Sequence, residues 1–296
     1  MTIAITGAAG QLGSLVAQQL LERIAPEELI LVTRRPEALT AFADRGVQVR
    51  RADFDEPATL EPAFAGAERL LLVSSTHEST PRRVRQHTDA VAAARAAGVR
   101  HVAFTSMPKV DADHPTGEYA LEYLRSEEML KASGVDWTIL QNAPYAEYLV
   151  GRFALALSLG RLATNAGDGA TAPVSNADCA AVAVAVLTSE GHERQTYVVT
   201  GPELYTQAQL AALVADVTGH PLPLLELDDD ALRRQAAEDG IPDPMPTFLS
   251  RHLKAVRLGY FDDLTTVVAD LTGRPPRALR DVLVEHRDAL LAAVPA

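Results

Sequence analysis

Residues 3–5 (Ile-Ala-Ile) make an apolar run almost at the first position, and the run breaks at Gly7. A helical pattern follows at once, with Leu12, Leu15, Val16 and Leu20 spaced to share one face. Apolar runs of strand length recur at 29–33, 47–49, 69–73, 99–106 and 137–140. Helical patterns over 84–97 and 119–133 lie between the later runs, and each stops at a glycine, Gly98 and Gly134. Strand and helix alternating in this way predict an α/β fold, with a parallel, doubly wound sheet and right-handed crossovers. The unbroken run Arg-Leu-Leu-Leu-Val at 69–73 suits a strand buried on both faces of such a sheet.

Beyond residue 145 the rhythm loosens. Helices are expected at 146–159, from 176–178 onward, at 207–218 (capped by Thr206 and ended by Gly219), and at 228–239, 248–258 and 279–294. Residues 164–169 read as a loop, 196–199 as a late strand, and the proline-rich 241–246 as a hinge. The expected division is a sheet domain over 1–150, with later strands returning to it from 170–200. A smaller, mostly helical and discontinuous lobe over 151–296 then covers the substrate.

Between the first strand and the first helix stands Gly7-x-x-Gly10-x-x-Gly13. Gly7 permits a tight turn, Gly10 lets the backbone approach a pyrophosphate, and Gly13 lets the helix pack closely on the strand. The amides of the helix N-terminus then point at the anion, which the helix dipole also favours. The spacing differs from the commoner Gly-x-Gly-x-x-Gly, and glycine triplets also occur in plain surface turns. The strand before and the helix after select the phosphate reading.

The second strand ends on Arg34 and Arg35, where a site for NAD carries Asp or Glu to hold the ribose 2′-hydroxyl. A guanidinium fork matches a 2′-phosphate, so NADP(H) is expected; two solvated arginines closing a strand are the plainer alternative. Asp53 is placed either to accept from the adenine amino group or to cap the helix beginning near Pro57, and Phe54 to cover the adenine face. Ser74, Ser75 and Thr76 end the fourth strand at the edge where open α/β sheets bind ligands, with hydroxyls for ribose and diphosphate. His77 beside them looks into the substrate cleft or is simply solvated.

Composition narrows the classes further. At 296 residues, 47% hydrophobic and 22% charged, the chain has ordinary globular proportions and room for a large domain or a domain plus a lobe. Its net charge is −12, and the densest basic cluster, Arg82, Arg83 and Arg85, reads as a solvated helix face. Direct nucleic-acid binding is therefore not expected. Cys179 is the single cysteine, so no intrachain disulfide can form. No signal-peptide pattern opens the chain and no apolar segment is long enough to span a membrane, so a cytoplasmic location is expected. No metal is expected.

Thr6-Gly-Ala-Ala-Gly-Gln-Leu-Gly13, Val32-Thr-Arg-Arg-Pro36, Asp53, Ala97-Gly-Val99, Phe104-Thr-Ser106, Gly134-Val-Asp-Trp-Thr-Ile-Leu140 and Asn142-x-x-Tyr145 form a set. Together they resemble the NmrA-like atypical short-chain reductases, and within these the NAD(P)H:quinone oxidoreductases and triphenylmethane reductases. Segments 164–169 and 188–193 are similar to the same subgroup, and the resemblance covers almost the whole chain. It implies a Rossmann-type sheet with a small C-terminal lobe and NADPH as cofactor. The implied contacts fall on Gly7, Ala8, Ala9, Gly10, Gln11 and Leu12, with Gly13 behind them, on Arg34, on Ser74, Ser75 and Thr76, and on the segment from Asn142 through Tyr145 to Glu147.

Ordinary short-chain reductases use Tyr-x-x-x-Lys, in which the lysine lowers the pKa of a proton-transferring tyrosine. The matching positions here are Tyr119 and Tyr123, and Tyr123 stands where the resemblance puts His or Lys. These two tyrosines are the catalytic candidates; they share a helix face, but neither supplies a cation. Gln141 stands where the subgroup usually has Arg. Quinone reduction tolerates these losses, because the product anion is resonance-stabilised and water can supply the proton. Tyr145, Tyr148 and Phe153 suit a flat aromatic acceptor, or else pack the lobe. The expected function is thus an NADPH-dependent oxidoreductase delivering hydride to a quinone or similar conjugated acceptor. A non-catalytic NADP(H)-sensing regulator with a protein partner is the alternative; a sugar or steroid epimerase is disfavoured by the missing lysine. A homo-oligomer is compatible with either.

Overall fold

The first strand, β1 (Ile3–Ile5), is wholly buried and turns through Gly7 into α1 (Gln11–Leu20). In this computed structural model, which describes residues 1–75 and 80–295, the alternation continues. In order come β2 (Leu29–Thr33), α2 (Thr40–Ala43), β3 (Gln48–Arg51), α3 (Leu60–Phe64), β4 (Arg69–Leu72) and α4 (Thr80–Ala96). Then follow β5 (His101–Ser106), α5 (Glu118–Ala132), β6 (Asp136–Asn142) and α6 (Ala146–Leu159). After β7 (Leu162–Thr164) and β8 (Ala170–Thr171), α7 (Asn176–Thr188) and β9 (Gln195–Val199) return to the first half. The sheet has seven strands in the order β3-β2-β1-β4-β5-β6-β9, all parallel, as a Rossmann-type doubly wound fold requires.

Side chains of a strand alternate between faces, and both faces here are covered. Ala4, Ile30, Leu70, Leu72 and Phe104 face a layer with Phe64, Ala90, Val91 and Leu130 from α3, α4 and α5. Ile3, Ile5, Leu29, Leu31 and Leu71 face Val16 and Leu20 of α1 and Val182, Val186 and Leu187 of α7. That two-sided burial explains the unbroken apolar runs, and at about 25 cal/mol per Å² of apolar surface it dominates the stability of this half.

The remaining elements are β10 (Tyr205–Thr206), α8 (Gln207–Thr218), β11 (Leu224–Glu226), α9 (Asp229–Glu238), α10 (Met245–Arg257), α11 (Val267–Thr272), α12 (Leu279–Glu285) and α13 (Arg287–Ala292). A separate core joins Leu149 and Phe153 of α6 to Leu210 and Val214 of α8 and to Leu279, Leu283 and Leu290 of the last two helices. The C-terminal segment is tied back through Asp178, which is fully buried. It accepts from Arg274 Nη1 at 2.7 Å, from the Arg277 N–H at 2.8 Å and from the Ser175 hydroxyl at 2.8 Å.

Several boundaries differ from the sequence expectation. β3 runs later than 47–49, because at the sheet margin its side chains are half exposed and their polarity hides the strand. β6 extends beyond 137–140 to Asn142, and Thr164 belongs to β7 rather than to a loop. α10 starts at Met245 rather than 248, and the expected final helix breaks at His286 into α12 and α13. β11 and α11 carry three and six residues, too few for a periodic signal. Among the described residues no helix is long and apolar enough to cross a membrane.

Candidate active site

The strand order brings the loops after β2, β1, β4, β5 and β6 side by side at the carboxyl edge of the sheet. At its centre is the glycine turn. Gly7 sits at φ +60°, a left-handed conformation in which a side chain is strained. A Cβ on Gly13 would drive into the Gly7 carbonyl and come within 2.9 Å of Ala8 Cα, so only glycine lets α1 lie this close to the turn. Gly10 is the extended N-cap of α1; no side chain caps the helix, and its first turn holds no acid. The amides of Gln11, Leu12 and Gly13 and the positive end of the dipole are thereby left for an anion. Ala8 and the Leu12 side chain are buried in the core, and Ala9 is exposed.

Arg34 and Arg35 are exposed just past β2, and neither guanidinium has a partner among the described residues. Asp53 does not cap the turn at Pro57–Thr59, whose N-cap is Glu56. Its Oδ1 instead accepts the Asp55 N–H at 3.0 Å, while its own N–H donates to Thr59 Oγ1 at 3.0 Å. Phe54 is half-buried against the core.

The loop after β4 is held from both sides. Thr6 Oγ1 accepts the Val73 N–H at 2.9 Å, and Thr105 Oγ1 accepts the Ser74 N–H at 2.9 Å and donates to Ser74 Oγ at 3.2 Å. His87 Nε2 accepts the Ser75 N–H at 3.0 Å, so its proton is on Nδ1, which donates to Ser126 Oγ at 2.8 Å. The Ser75 hydroxyl donates to Gln86 Oε1 at 2.7 Å. Burial, and then the charge of Arg83, push His87 down to about 3, so the ring is neutral. Thr76 and His77 lie outside the described residues.

Tyr123 is where the structure departs most from the sequence reading. Its Oη lies 3.4 Å from Ser74 Oγ and accepts from Arg83 Nη2 at 3.2 Å. The Arg83 guanidinium also stands over the rings of Tyr123 (5.2 Å) and Tyr119 (5.5 Å), and its Nη1 is 2.6 Å from Glu122 Oε1. Tyr123 therefore has a cationic partner, contributed by α4 instead of by its own helix. Arg83 is not on a solvated face as the sequence suggested: it is 3% exposed, and Glu122 1%. Burial alone would lower the Arg83 pKa, but Tyr123, Glu122 and Tyr119 outweigh it and hold the guanidinium protonated. Burial raises Glu122 to about 8 against the pull of Arg83.

Tyr119 packs edge-on between Tyr123 (5.4 Å) and Phe248 of α10 (5.0 Å), and Phe248 stacks on His252 at 5.8 Å. The neighbouring Tyr123 and burial raise Tyr119 well above the ordinary tyrosine range. Burial, helped by Arg152 and His114, brings His252 down to about 4. At the end of β6, Asn142 donates to Tyr145 Oη at 3.1 Å, while its own Oδ1 is buried without a partner among the described residues. Burial raises the Tyr145 phenol. Gln141 donates to Glu127 at 2.9 Å. Tyr148 is 49% exposed. Phe153 is fully buried in the core between α6 and α8, so it packs the lobe and does not line the cleft.

Arg83, Gln86, His87, Phe248 and His252 escaped the sequence reading. A signal for two of them exists: Arg83, His87, Ala90 and Ala94 follow i, i+4, i+7, i+11, which sets two polar residues on the apolar stripe of α4. Among the described residues no group of three His, Cys, Asp or Glu side chains could hold a metal ion.

A sequence model of the NAD(P)H-binding family matches residues 7–190. Quinone oxidoreductase 2 of Escherichia coli K12 is 35% identical over 280 residues, 94% of this chain and 96% of that protein. The structure of the Escherichia coli NADPH-dependent quinone oxidoreductase QOR2 with NADPH superimposes with a TM-score of 0.90 at 34% identity, covering 96% of this chain and 99% of that one. Triphenylmethane reductase of Citrobacter sp., solved with NADP(H), gives 0.89 at 31% identity, over 97% of this chain and all of that one.

Proposed function

The chain belongs to the NAD(P)H-binding family and is an NADPH-dependent oxidoreductase of the quinone oxidoreductase and triphenylmethane reductase type; on that premise we propose that its acceptor is a quinone or a similarly conjugated aromatic molecule.

The residues present fit the cofactor. The turn from Gly7 to Gly13 and the uncapped start of α1 form a cradle that a Cβ would fill, and they would hold the diphosphate. Arg34, with Arg35 beside it, would hold the 2′-phosphate. Asp53 and Phe54 would flank the adenine, and Ser74 would meet the ribose. The orphaned Asn142 Oδ1 offers a buried acceptor for an amide N–H. When bound, NADPH supplies a hydride. In this reading residues 1–150, with α7 and β9 returned to them, carry the dinucleotide, and the remainder of 151–296 closes over the acceptor.

One observation supports the acceptor class above all: the Tyr123 hydroxyl lies beside Ser74 at the strand edge, and the aromatic series Tyr119, Phe248, His252 leads away from it. Flat ring edges and faces suit a flat conjugated molecule, while a saturated ketone gains little from them. Tyr145, the extended N-cap of α6, is tied to Asn142 at the end of β6, and the exposed Tyr148 follows in the first turn of that helix.

Disappearance of NADPH absorbance is the direct test, with benzoquinones and naphthoquinones, triphenylmethane dyes and unconjugated ketones compared at matched concentration. Turnover of the first two classes and none of the third is expected, with Phe248→Ala raising KM for quinone several-fold and leaving NADPH affinity intact. Turnover of the unconjugated ketones alone would overturn the reading.

A further inference from the structure

We infer that Arg83 does from α4 what a lysine one turn along α5 would do: it is the positioning residue that makes Tyr123 the proton donor to the reduced acceptor. The inference rests on the acceptor class proposed above.

The geometry is that of a supported phenol. Tyr123 Oη receives the Arg83 Nη2–H at 3.2 Å, and Ser74 Oγ stands 3.4 Å away on its other side. The Ser74 hydroxyl is in turn supplied by Thr105 Oγ1 at 3.2 Å, so three hydroxyls form a chain ending at the phenol. A phenolate on Tyr123 would accept two hydrogen bonds, one of them charge-assisted, in a site shielded from water. The guanidinium cannot lose its proton, and its planar fork reaches the phenol and the Glu122 carboxyl group at once. The other titratable groups facing Tyr123 are Tyr119 and Glu122 on α5 and Tyr145 at the start of α6. Tyr119 and Tyr145 are held neutral, and Glu122, raised to about 8 by burial, is uncharged at pH 7, so none of the three opposes a phenolate with a charge at neutral pH.

The step balances simply. A quinone that has gained a hydride is a hydroquinone monoanion. Tyr123 breaks its O–H bond and gives the proton to the anionic oxygen, which completes the hydroquinone. The phenolate left behind is held by Arg83 and Ser74 until a solvent proton restores it. Protonation by water alone was the sequence expectation, because no cation accompanies the two tyrosines along their own helix. The cation is present; it comes from forty residues earlier, |i−j| = 40.

The first measurement needs no turnover. The ultraviolet titration of the protein minus that of its Tyr123→Phe variant isolates the Tyr123 phenol, and the same difference is taken in an Arg83→Met background. Removal of Arg83 is expected to raise the Tyr123 midpoint by about one unit or more, a tenfold loss of ionised form. Because Arg83→Met strands a buried carboxyl, Arg83→Met/Glu122→Gln is measured alongside it and is expected to show the same rise. With quinone, Tyr123→Phe should lower kcat by about 10² or more. Arg83→Met should move the pH profile of kcat while sparing NADPH affinity, Arg83→Lys should restore part of the loss, and Arg83→Met should cost nothing further in the Tyr123→Phe background. An unchanged midpoint in both Arg83 variants, or equal losses from Arg83→Met with and without Tyr123, would overturn the inference. Absence of quinone turnover by the unaltered protein would instead defeat the acceptor class, with the titration still deciding whether Arg83 supports the phenol.

Discussion

The backbone N–H of Ser75 donates to Nε2 of His87 at 3.0 Å, and this bond fixes a fully buried histidine in one neutral tautomer. The ring also props the loop at the carboxyl end of β4, next to the Ser74 hydroxyl on which the proton chain depends. A group chosen to hold a loop therefore sets an acid limit on the site.

A histidine whose folded pKa is depressed stabilises the fold fully above its unfolded value and loses that contribution as pH falls through the gap. For His87 the window runs from 6.5 down to about 3. His87→Leu should be less stable at pH 7 by about 1–3 kcal/mol, because the Ser75 N–H and the Ser126 hydroxyl lose their partner. The difference should then narrow below pH 6.5 by at most about 1.4 kcal/mol per unit. Urea denaturation of both proteins at pH 7 and pH 5 checks this, and a gap that widens on acidification would show that His87 is not neutral.

Gly10 and Gly13 should behave differently although the motif treats them alike. A Cβ on Gly10 meets only the Gly7 carbonyl oxygen, at 3.2 Å, whereas one on Gly13 meets Gly7 and Ala8 backbone that cannot yield. Gly13→Ala is expected to cost about 1–3 kcal/mol of stability, as overpacking does. Gly10→Ala should fold normally and lose NADPH affinity through the pyrophosphate path. Melting curves with and without NADPH separate the two effects; equal melting points for both variants would refute the distinction.

Arg34→Ala should weaken NADPH by about tenfold or more and leave NADH nearly unaffected, since only the phosphate needs the guanidinium. Calorimetric titration of each cofactor into Arg34→Ala and Arg34→Ala/Arg35→Ala measures it. Equal losses for the two cofactors would remove the arginine from 2′-phosphate recognition.

Asp178→Ala should destabilise the protein more than Arg274→Ala. The first orphans the half-buried Arg277 N–H and the buried Ser175 hydroxyl as well as freeing Arg274, for about 1–3 kcal/mol. The second removes one half-exposed partner and leaves the carboxylate its other two bonds. Chemical denaturation ranks them; an Arg274→Ala loss equal to the Asp178→Ala loss would mean that the ion pair alone holds the C-terminal segment.

What the sequence disclosed follows from the range of the forces involved. β2, α6 and α8 stood at their observed limits in the pattern alone, because each is bounded by local chemistry: the turn after Thr33, the extended Tyr145 before α6, and the Thr206 cap with Gly219. The glycine cradle was legible for the same reason, since three residues within seven positions build it. Arg83 was not. Its partners Glu122 and Tyr123 meet it only because α4 and α5 pack on one face of the sheet, and no spacing along the chain encodes that. Phe248 and Tyr119 are likewise joined by the fold of the lobe over α5, and the apolar pattern of α10 says nothing about which helix it will meet. Phe153 was ambiguous along the chain because an aromatic in a core and one in a cleft have the same periodicity.

The position of β9 has a consequence for how this protein is made. β9 pairs with β6 along its whole length, from Gln195 opposite Thr138 to Val199 opposite Asn142, and α7 covers α1. A nascent chain that has emerged only as far as α6 holds six of the seven strands, yet it presents β6 as a bare edge and leaves α1 without its cover. Such an edge templates pairing between chains, so the interval between synthesis of residue 142 and residue 199 is when this protein is most open to aggregation. A fragment ending near residue 160, however natural a stopping point its sequence suggests, would be caught permanently in that interval. One ending after Thr200 would not.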